Sequence, residues 1–164
     1  MRAVDLTVNI DPTGQPRGAT AQAKIDCPLE KLWDVIVDVD KFPERIPMIH
    51  RVKLSGNRAN IDLKFKLSLF SVGFHFEVDV KKEDKKWLEL AYVSGEPRGI
   101  RLRFDLEEVD GGKATLLKST GEFDVMSLGW LAKYFLKHHP EIQFGVIPGV
   151  AVGLLESMRK AAGA

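Results

Sequence analysis

Two side chains of this 164-residue chain are candidates for acid–base or hydrogen-bonding chemistry on a ligand. His50 has the same strand parity as Val52 and Leu54, so one interpretation places its imidazole on the inner face as a general base or hydrogen-bond donor, and the other makes it a strand-end histidine bonded to a loop carbonyl. Tyr92 lies on an apolar strand face, where its hydroxyl contacts a ligand or marks the rim of the core. His50 and Tyr92 are therefore the catalytic candidates, and the structural alternative stays open for both.

Other polar side chains have less specific interpretations. Thr115 and Ser119 share one face of a strand and would add polar contacts to a ligand. Arg98 follows a turn at the start of a strand, where it either reaches a ligand carboxylate or phosphate or is solvated. Asp38 and Asp40 lie at a helix junction, and helix capping explains them.

No pattern in the sequence predicts a metal, a cofactor or a nucleotide phosphate. His138 and His139 are adjacent and would face different directions on a helix, and no other Cys, His or Asp cluster has ligand spacing. Glycine-rich phosphate loops and nucleophile elbows are absent from the sequence.

The lone Cys27 is expected to be a packed thiol in a reducing compartment. With no apolar signal segment among the first ten residues, we expect a cytoplasmic protein.

Composition predicts one globular domain that does not bind nucleic acid. Hydrophobic residues make up 45% of the chain, and the net charge is +1 with both signs interspersed. We expect a single domain over residues 1–164, with 1–18 as an N-terminal strand and turn and 19–162 as the core. Composition says nothing about the oligomeric state.

Hydrophobic periodicity predicts an α+β fold. Two alternating segments precede residue 26 and suggest a hairpin, and further alternating segments from Ile49 to Val125 predict an antiparallel meander. Between them, helical spacing predicts one helix from Pro28 to Val37 and a second from Val39 to Ile46. Because each strand has one apolar face, the long apolar helix Pro140–Ala162 is expected to cover the sheet.

The last helix carries glycine at every fourth position. Gly145, Gly149 and Gly153 lie about one turn apart and form a bare groove on one side. Each costs roughly 1 kcal/mol relative to alanine in a helix. We therefore expect either the sheet or a ligand to approach this groove closely.

The segment Cys27–Ile49 resembles the start of the polyketide cyclase/dehydrase and coenzyme Q-binding families of the SRPBCC or START-like superfamily. The residues that carry this resemblance are Pro28, Trp33, Asp38, Phe42–Pro43 and Pro47. The resemblance implies the helix-grip fold of birch pollen allergen, in which a curved antiparallel sheet wraps around a long C-terminal helix. It also implies a cavity between sheet and helix, open near the corner of the two short helices, that holds lipids, quinones or polyketides.

The wholly apolar inner face and the glycine-lined helix, taken with this resemblance, predict binding or transfer of a hydrophobic molecule without turnover. A cyclase or dehydratase that uses His50 or Tyr92 is one alternative, and a module that accepts a protein segment in the same groove is another. The residues expected to contact the ligand are Phe42, Ile46, Phe65, Phe74, Phe76, Tyr92, Leu102, Phe104, Phe123, Phe144, Ile147, Gly149, Ala151 and Leu155.

Residues 127–139 predict a separate amphipathic helix capped by Ser127. Its apolar face is expected to contain Leu128, Leu131, Tyr134 and Phe135. The basic residues near its end are favoured by the helix dipole, so simple packing explains the segment. The alternative is weak peripheral contact with a membrane, in which Trp130 and the lysines rest on anionic lipid.

Overall fold

The computed structural model describes residues 3–67, 70–127, 129–139 and 143–164, without the side chains of residues 65–67, 70, 131, 132, 135, 136 and 143. The strands are β1 Asp5–Ile10, β2 Pro16–Ile25, β3 Ile49–Ser55, β4 Arg58–Leu67, β5 Phe70–Glu83, β6 Trp87–Gly95, β7 Arg101–Val109 and β8 Ala114–Glu122. The helices are α1 Leu29–Val37, α2 Phe42–Arg45, α3 Gly129–His138 and α4 Gln143–Ala161. Short 3-10 turns occupy Val39–Lys41, Asp110–Gly112 and Val125–Ser127.

All eight of these strands form one antiparallel sheet in the order β1-β2-β8-β7-β6-β5-β4-β3. The chain therefore runs from β2 to the far edge of the sheet through α1 and α2, and then returns strand by strand from β3 to β8. The predicted meander and N-terminal hairpin are both confirmed, with Leu6 opposite Ala21. Together with α4, this arrangement confirms the expected α+β helix-grip architecture.

The corner of the two short helices closes one end of the core. Leu32, Trp33 and Ile36 bury one side of α1, as helical spacing predicts. The second predicted helix is a 3-10 turn followed by the single turn of α2. The Phe42 ring meets Phe104 of β7 edge-on, with 6.3 Å between the ring centroids. This aromatic contact joins the corner to the middle of the sheet.

α4 packs closely on β2 and β8 because the sheet is bare of large side chains there. Ala19 and Ala21 of β2 are fully buried. A Cβ atom at Gly121 of β8 would lie 3.0 Å from Cγ1 of Val150, a tighter contact than folded proteins normally allow. Beside it, the Ser119 hydroxyl donates a 2.6 Å hydrogen bond to a carbonyl oxygen of α4.

The glycines of α4 lie away from the sheet, which corrects one of the two expectations for them. A Cβ atom at Gly145, Gly149 or Gly153 would meet no described atom within 4 Å. Helical geometry explains the result, because Ala151, Leu155 and their neighbours form the buried side and the glycines face roughly the opposite direction. The small residues that permit close approach belong to the sheet, not to the helix.

Charged side chains cover the outer face of the sheet, as the alternation predicts. Arg103 bonds Glu89 at 2.8 Å, and its guanidinium lies 4.4 Å from the centroid of the Trp87 ring. Burial would raise the pKa of Glu89, but the guanidiniums of Arg103 and Arg101 outweigh it and lower that pKa. Such partly solvated pairs add little stability individually, so the apolar inner face dominates the fold.

The contact between Gly121 and Val150 predicts the effect of a matched pair of substitutions. Gly121→Val should lower the free energy of unfolding by about 1–3 kcal/mol, because its side chain overlaps α4. Gly149→Ala should raise that free energy by about 1 kcal/mol, because alanine favours the helix and meets open space. Urea unfolding followed by circular dichroism measures both. A stabilised Gly121→Val variant would contradict the placement of α4.

Candidate functional site

The interior between the sheet and the helices is the candidate site, and it brings together most of the expected ligand residues. Phe74 and Tyr92 are half-buried against the core, whereas Phe144 and Gly149 are exposed and the side chain of Phe65 lies outside the described residues. Their contact with a ligand stays a prediction. The members that are at most 6% exposed are Phe42, Ile46, Phe76, Leu102, Phe104, Phe123, Ile147, Ala151 and Leu155.

Polar side chains in this interior are already hydrogen-bonded to the backbone. The Thr115 hydroxyl donates to the carbonyl oxygen of Cys27 at 3.0 Å. The Ser127 hydroxyl donates to the Asp124 carbonyl at 2.6 Å and accepts from the Arg98 backbone N–H at 2.7 Å. Across the described residues, no buried side-chain nitrogen or oxygen lacks a partner. Among the described residues, this interior therefore offers no unpaired side-chain polar atom.

Cys27 has the environment of a packed thiol, as predicted. Its side chain is buried at the end of β2, where its own carbonyl oxygen accepts the hydrogen bond from Thr115. Burial raises the pKa of the thiol, with Asp26 acting in the same direction and Lys31 opposing. A raised pKa keeps the sulfur protonated, so this residue is a poor nucleophile.

The hydroxyl of Tyr92 has a structural partner. It donates a 2.9 Å hydrogen bond to the carbonyl oxygen of Gly95, which ends the same strand. Gly95 adopts φ +96°, and a Cβ atom there would overlap the carbonyl oxygen of His75 on β5. The bond therefore helps to hold the end of β6 where it lies close to the backbone of β5, and Tyr92 would have to break it to donate a proton to a ligand.

His50 is solvent-exposed, so the expectation of an inward imidazole is wrong. Ile49 pairs with Leu63, and the register then shifts at a β-bulge that contains His50. The extra residue interrupts the alternation, so Ile49 is buried and takes the inner position instead. Leu54, the third residue of the predicted face, is also exposed.

Capping does not explain the two aspartates at the junction of α1 and α2. Asp38 makes no side-chain capping hydrogen bond there. Its carboxyl group instead lies 3.3 Å from a guanidinium nitrogen of Arg45. The interaction between the two neighbouring carboxyl groups raises the pKa of Asp38 and lowers that of Asp40.

A surface cleft of about 750 Å³ separates α2 from the end of α4. It lies near the corner where the resemblance implies an apolar opening, yet its lining includes Glu44, Arg45 and Glu156. Arg159 in the cleft is paired with Glu156 and also donates to a backbone carbonyl. Half of its ten lining residues are charged, unlike the wholly apolar entrance expected for a hydrophobic ligand.

Exposed apolar side chains concentrate at the other end of α4. Met126 and Phe144 are each 47% exposed, Trp130 is 78% exposed and Tyr134 is 56% exposed. The expectation that Tyr134 belongs to the buried face of α3 is wrong; Leu128 and the side chains of Leu131 and Phe135 lie outside the described residues. This end, next to the end of β8, has the more apolar surface.

Comparison with known proteins rests on structure alone, since no family model matches the chain and no curated protein matches it in sequence. The Zhui aromatase/cyclase from a Streptomyces strain superposes with a TM-score of 0.61 at 13% identity, over 90% of this chain and 93% of that one. A conserved protein from Geobacillus kaustophilus gives 0.69 at 15%, over 90% and 95%. A START superfamily protein from Mycobacterium smegmatis gives 0.57 at 14%, over 82% and 99%.

The chain has a START-like fold. At these low identities the likeness establishes the architecture and not an activity. No group of three or more His, Cys, Asp or Glu side chains in the described ranges has the geometry to hold a metal ion. None of the helices within those ranges is long and apolar enough to cross a membrane.

Three features of this START-like fold escaped sequence analysis. The bulge at His50 cannot be recognised from the alternation of apolar and polar residues. An inner face that contains Ile49 and one that contains Val52 and Leu54 are both apolar. The roles of Gly95 and Gly121 depend on strands and helices that are distant in sequence. For Gly121 a signal did exist, since it lies on the inner face of β8 next to another small residue, Ser119.

The environment of Cys27 predicts slow thiol chemistry. In the native protein, Ellman's reagent should modify Cys27 about 100-fold more slowly than in urea, because the thiol is buried and its pKa is raised. Absorbance of the released thiolate at pH 8 measures both rates. Equal native and unfolded rates would show that this end of the START-like fold is open.

Substitution of Tyr92 should destabilise the protein, whereas substitution of His50 should leave its stability almost unchanged. Tyr92→Phe should lower the free energy of unfolding by about 0.5–1.5 kcal/mol, because the Gly95 carbonyl loses its donor. His50→Ala should change it by less than about 0.5 kcal/mol, because the imidazole is exposed. Chemical unfolding curves distinguish these outcomes. A larger loss for His50→Ala than for Tyr92→Phe would contradict both assignments.

Proposed function

We propose that this protein binds and transfers a hydrophobic small molecule of the lipid, quinone or polyketide class, held between the sheet and α4. The observation that carries the proposal is the apolar interior in which the buried polar side chains, among the described residues, are already paired. A hydrophobic molecule loses no hydrogen bond on entering such an interior. A polar substrate would lose its hydrogen bonds to water there, and no unpaired buried side chain among the described residues would replace them.

The acid–base candidates among the described residues are not positioned for turnover on a ligand in this interior. His50 is exposed at a bulge, the Tyr92 hydroxyl donates to Gly95, and the Cys27 thiol is kept protonated. Catalysis by proton transfer needs a group with a suitable pKa within hydrogen-bonding distance of the substrate. These described groups do not meet that need, which favours a carrier over an enzyme.

Simple energetics agree with exchange of the ligand. A molecule that buries roughly 400 Å² of apolar surface gains about 10 kcal/mol. Association costs at least about 4 kcal/mol, which leaves a dissociation constant on the order of tens of micromolar. Affinity in that range permits loading and release, as transfer requires.

A cyclase or dehydratase is the second candidate function. One of the superposed structures is an aromatase/cyclase, and the half-buried Tyr92 lies on the inner face of this sheet. In this alternative Tyr92 exchanges its bond to Gly95 for one to a substrate carbonyl. Steady-state turnover that collapses in Tyr92→Phe, while ligand affinity is retained, would favour the enzyme.

A matched pair of variants tests the proposed binding site. Phe74→Lys places a charge on the half-buried inner face, and His75→Lys places the same charge on the exposed outer face one residue later. The first should weaken binding of a fluorescent fatty acid or a naphthoquinone at least about tenfold. The second should change it less than about twofold. Fluorescence titration measures both, after circular dichroism has confirmed folding.

Native mass spectrometry and organic extraction of the purified protein complete the test. A co-purified molecule that is soluble in organic solvent supports the proposal and identifies the chemical class of the ligand. Equal probe affinity in Phe74→Lys and His75→Lys would refute binding between the sheet and α4.

A further inference from the structure

We propose that one face of α3 docks on the surface of an anionic lipid bilayer. This α3 face consists of Trp130, Lys133, Tyr134, Lys137 and His138. All five side chains are exposed to solvent. The proposal concerns where the protein goes and does not depend on which molecule it carries.

Helical geometry makes these residues a single stripe. Their positions follow the spacing i, i+3, i+4, i+7 and i+8, which aligns side chains along one side of a helix. The aromatic rings of Tyr134 and His138 are 4.5 Å apart at their centroids, as adjacent turns require. The stripe runs the length of the ten-residue helix.

The composition of the α3 face matches a lipid surface. Trp and Tyr rings combine an apolar body with a polar atom and partition to the boundary between headgroups and acyl chains. Lysines in the same stripe are attracted to anionic headgroups. Residues 129–139 contain no acidic side chain. Neither Lys133 nor Lys137 takes part in an ion pair with another described residue.

Simple helix packing does not account for this face. The helix dipole favours Lys137 and His138 in the last turn. It does not favour Lys133 in the middle of the helix, and packing would bury Trp130 rather than leave most of its ring in water. A largely exposed indole is costly in solution and gains free energy at an interface.

The position of α3 adds a second argument. The preceding 3-10 turn is tied to the loop after β6, because the Ser127 hydroxyl accepts a hydrogen bond from the Arg98 backbone. Exposed Met126 and Phe144 lie just before and just after α3 in the chain, so further apolar side chains flank the helix in sequence.

Vesicle binding tests the proposal directly. The full chain should co-float at low salt with vesicles of phosphatidylcholine and phosphatidylglycerol, and much less with phosphatidylcholine alone. Binding should weaken at 0.5 M salt, because the Debye length falls to a few ångström and screens the lysines. Tryptophan fluorescence should shift to the blue on binding, and Trp130→Phe should abolish the shift, since Trp33 is buried and Trp87 lies on the outer face of the sheet.

Charge reversal supplies a matched control. Lys133→Glu with Lys137→Glu should reduce vesicle partitioning at least about 25-fold, at about fivefold per lysine. Lys81→Glu with Lys82→Glu makes the same change of net charge at exposed positions of β5 and should reduce it less than about threefold. Both double variants should bind a soluble fluorescent fatty acid as the unmodified protein does, which separates membrane docking from ligand binding.

Two results would overturn the proposal. One is the absence of binding to anionic vesicles at low salt, which is also the result expected if the α3 face fits an acidic protein surface. The other is equal loss of binding in the two double variants, which would mean that net charge alone controls association.

Discussion

The structure depends on the close contact between α4 and the strip of small residues on β2 and β8. A methyl group at Gly121 would already press on Val150, and Ser119 bonds the helix backbone directly. Because the helix is held at this short distance on one side of a curved sheet, the larger side chains of β4 to β7 determine what space remains on the other side. Any ligand site in the interior follows from this asymmetric packing.

The two ends of α4 lie in different chemical surroundings. At the end of α4 that meets α1 and α2, aromatic packing between Phe42 and Phe104 closes the core, and half of the residues that line the nearby cleft are charged. At the start of α4, apolar side chains such as Trp130 reach the solvent. The free-energy cost for a hydrophobic molecule to enter or leave the interior would be lowest at the apolar end. This is also the end that we propose to face a bilayer.

Sequence patterns predicted most of the fold correctly because burial of one strand face leaves a period of two, and burial of one helix face leaves a period of 3.6. They also placed Phe76, Leu102 and Ile147 in the interior. These patterns failed where the backbone changes direction, or a helix turns another face to solvent, without any change in the alternation of apolar and polar residues. The bulge at His50 moves Ile49 to the buried face, and Tyr134 turned out to share the exposed side of α3 with Trp130.

The sequence by itself determined the α+β architecture, the apolar character of the inner face and the unreactive setting of Cys27, because each follows from local periodicity or from a single residue type. Only the tertiary structure decided which glycines matter. Gly121 is in contact with α4, whereas Gly149 faces open space. The physical reason is that a close approach belongs to two segments at once, and the distance between them is set by long-range packing that no single segment encodes.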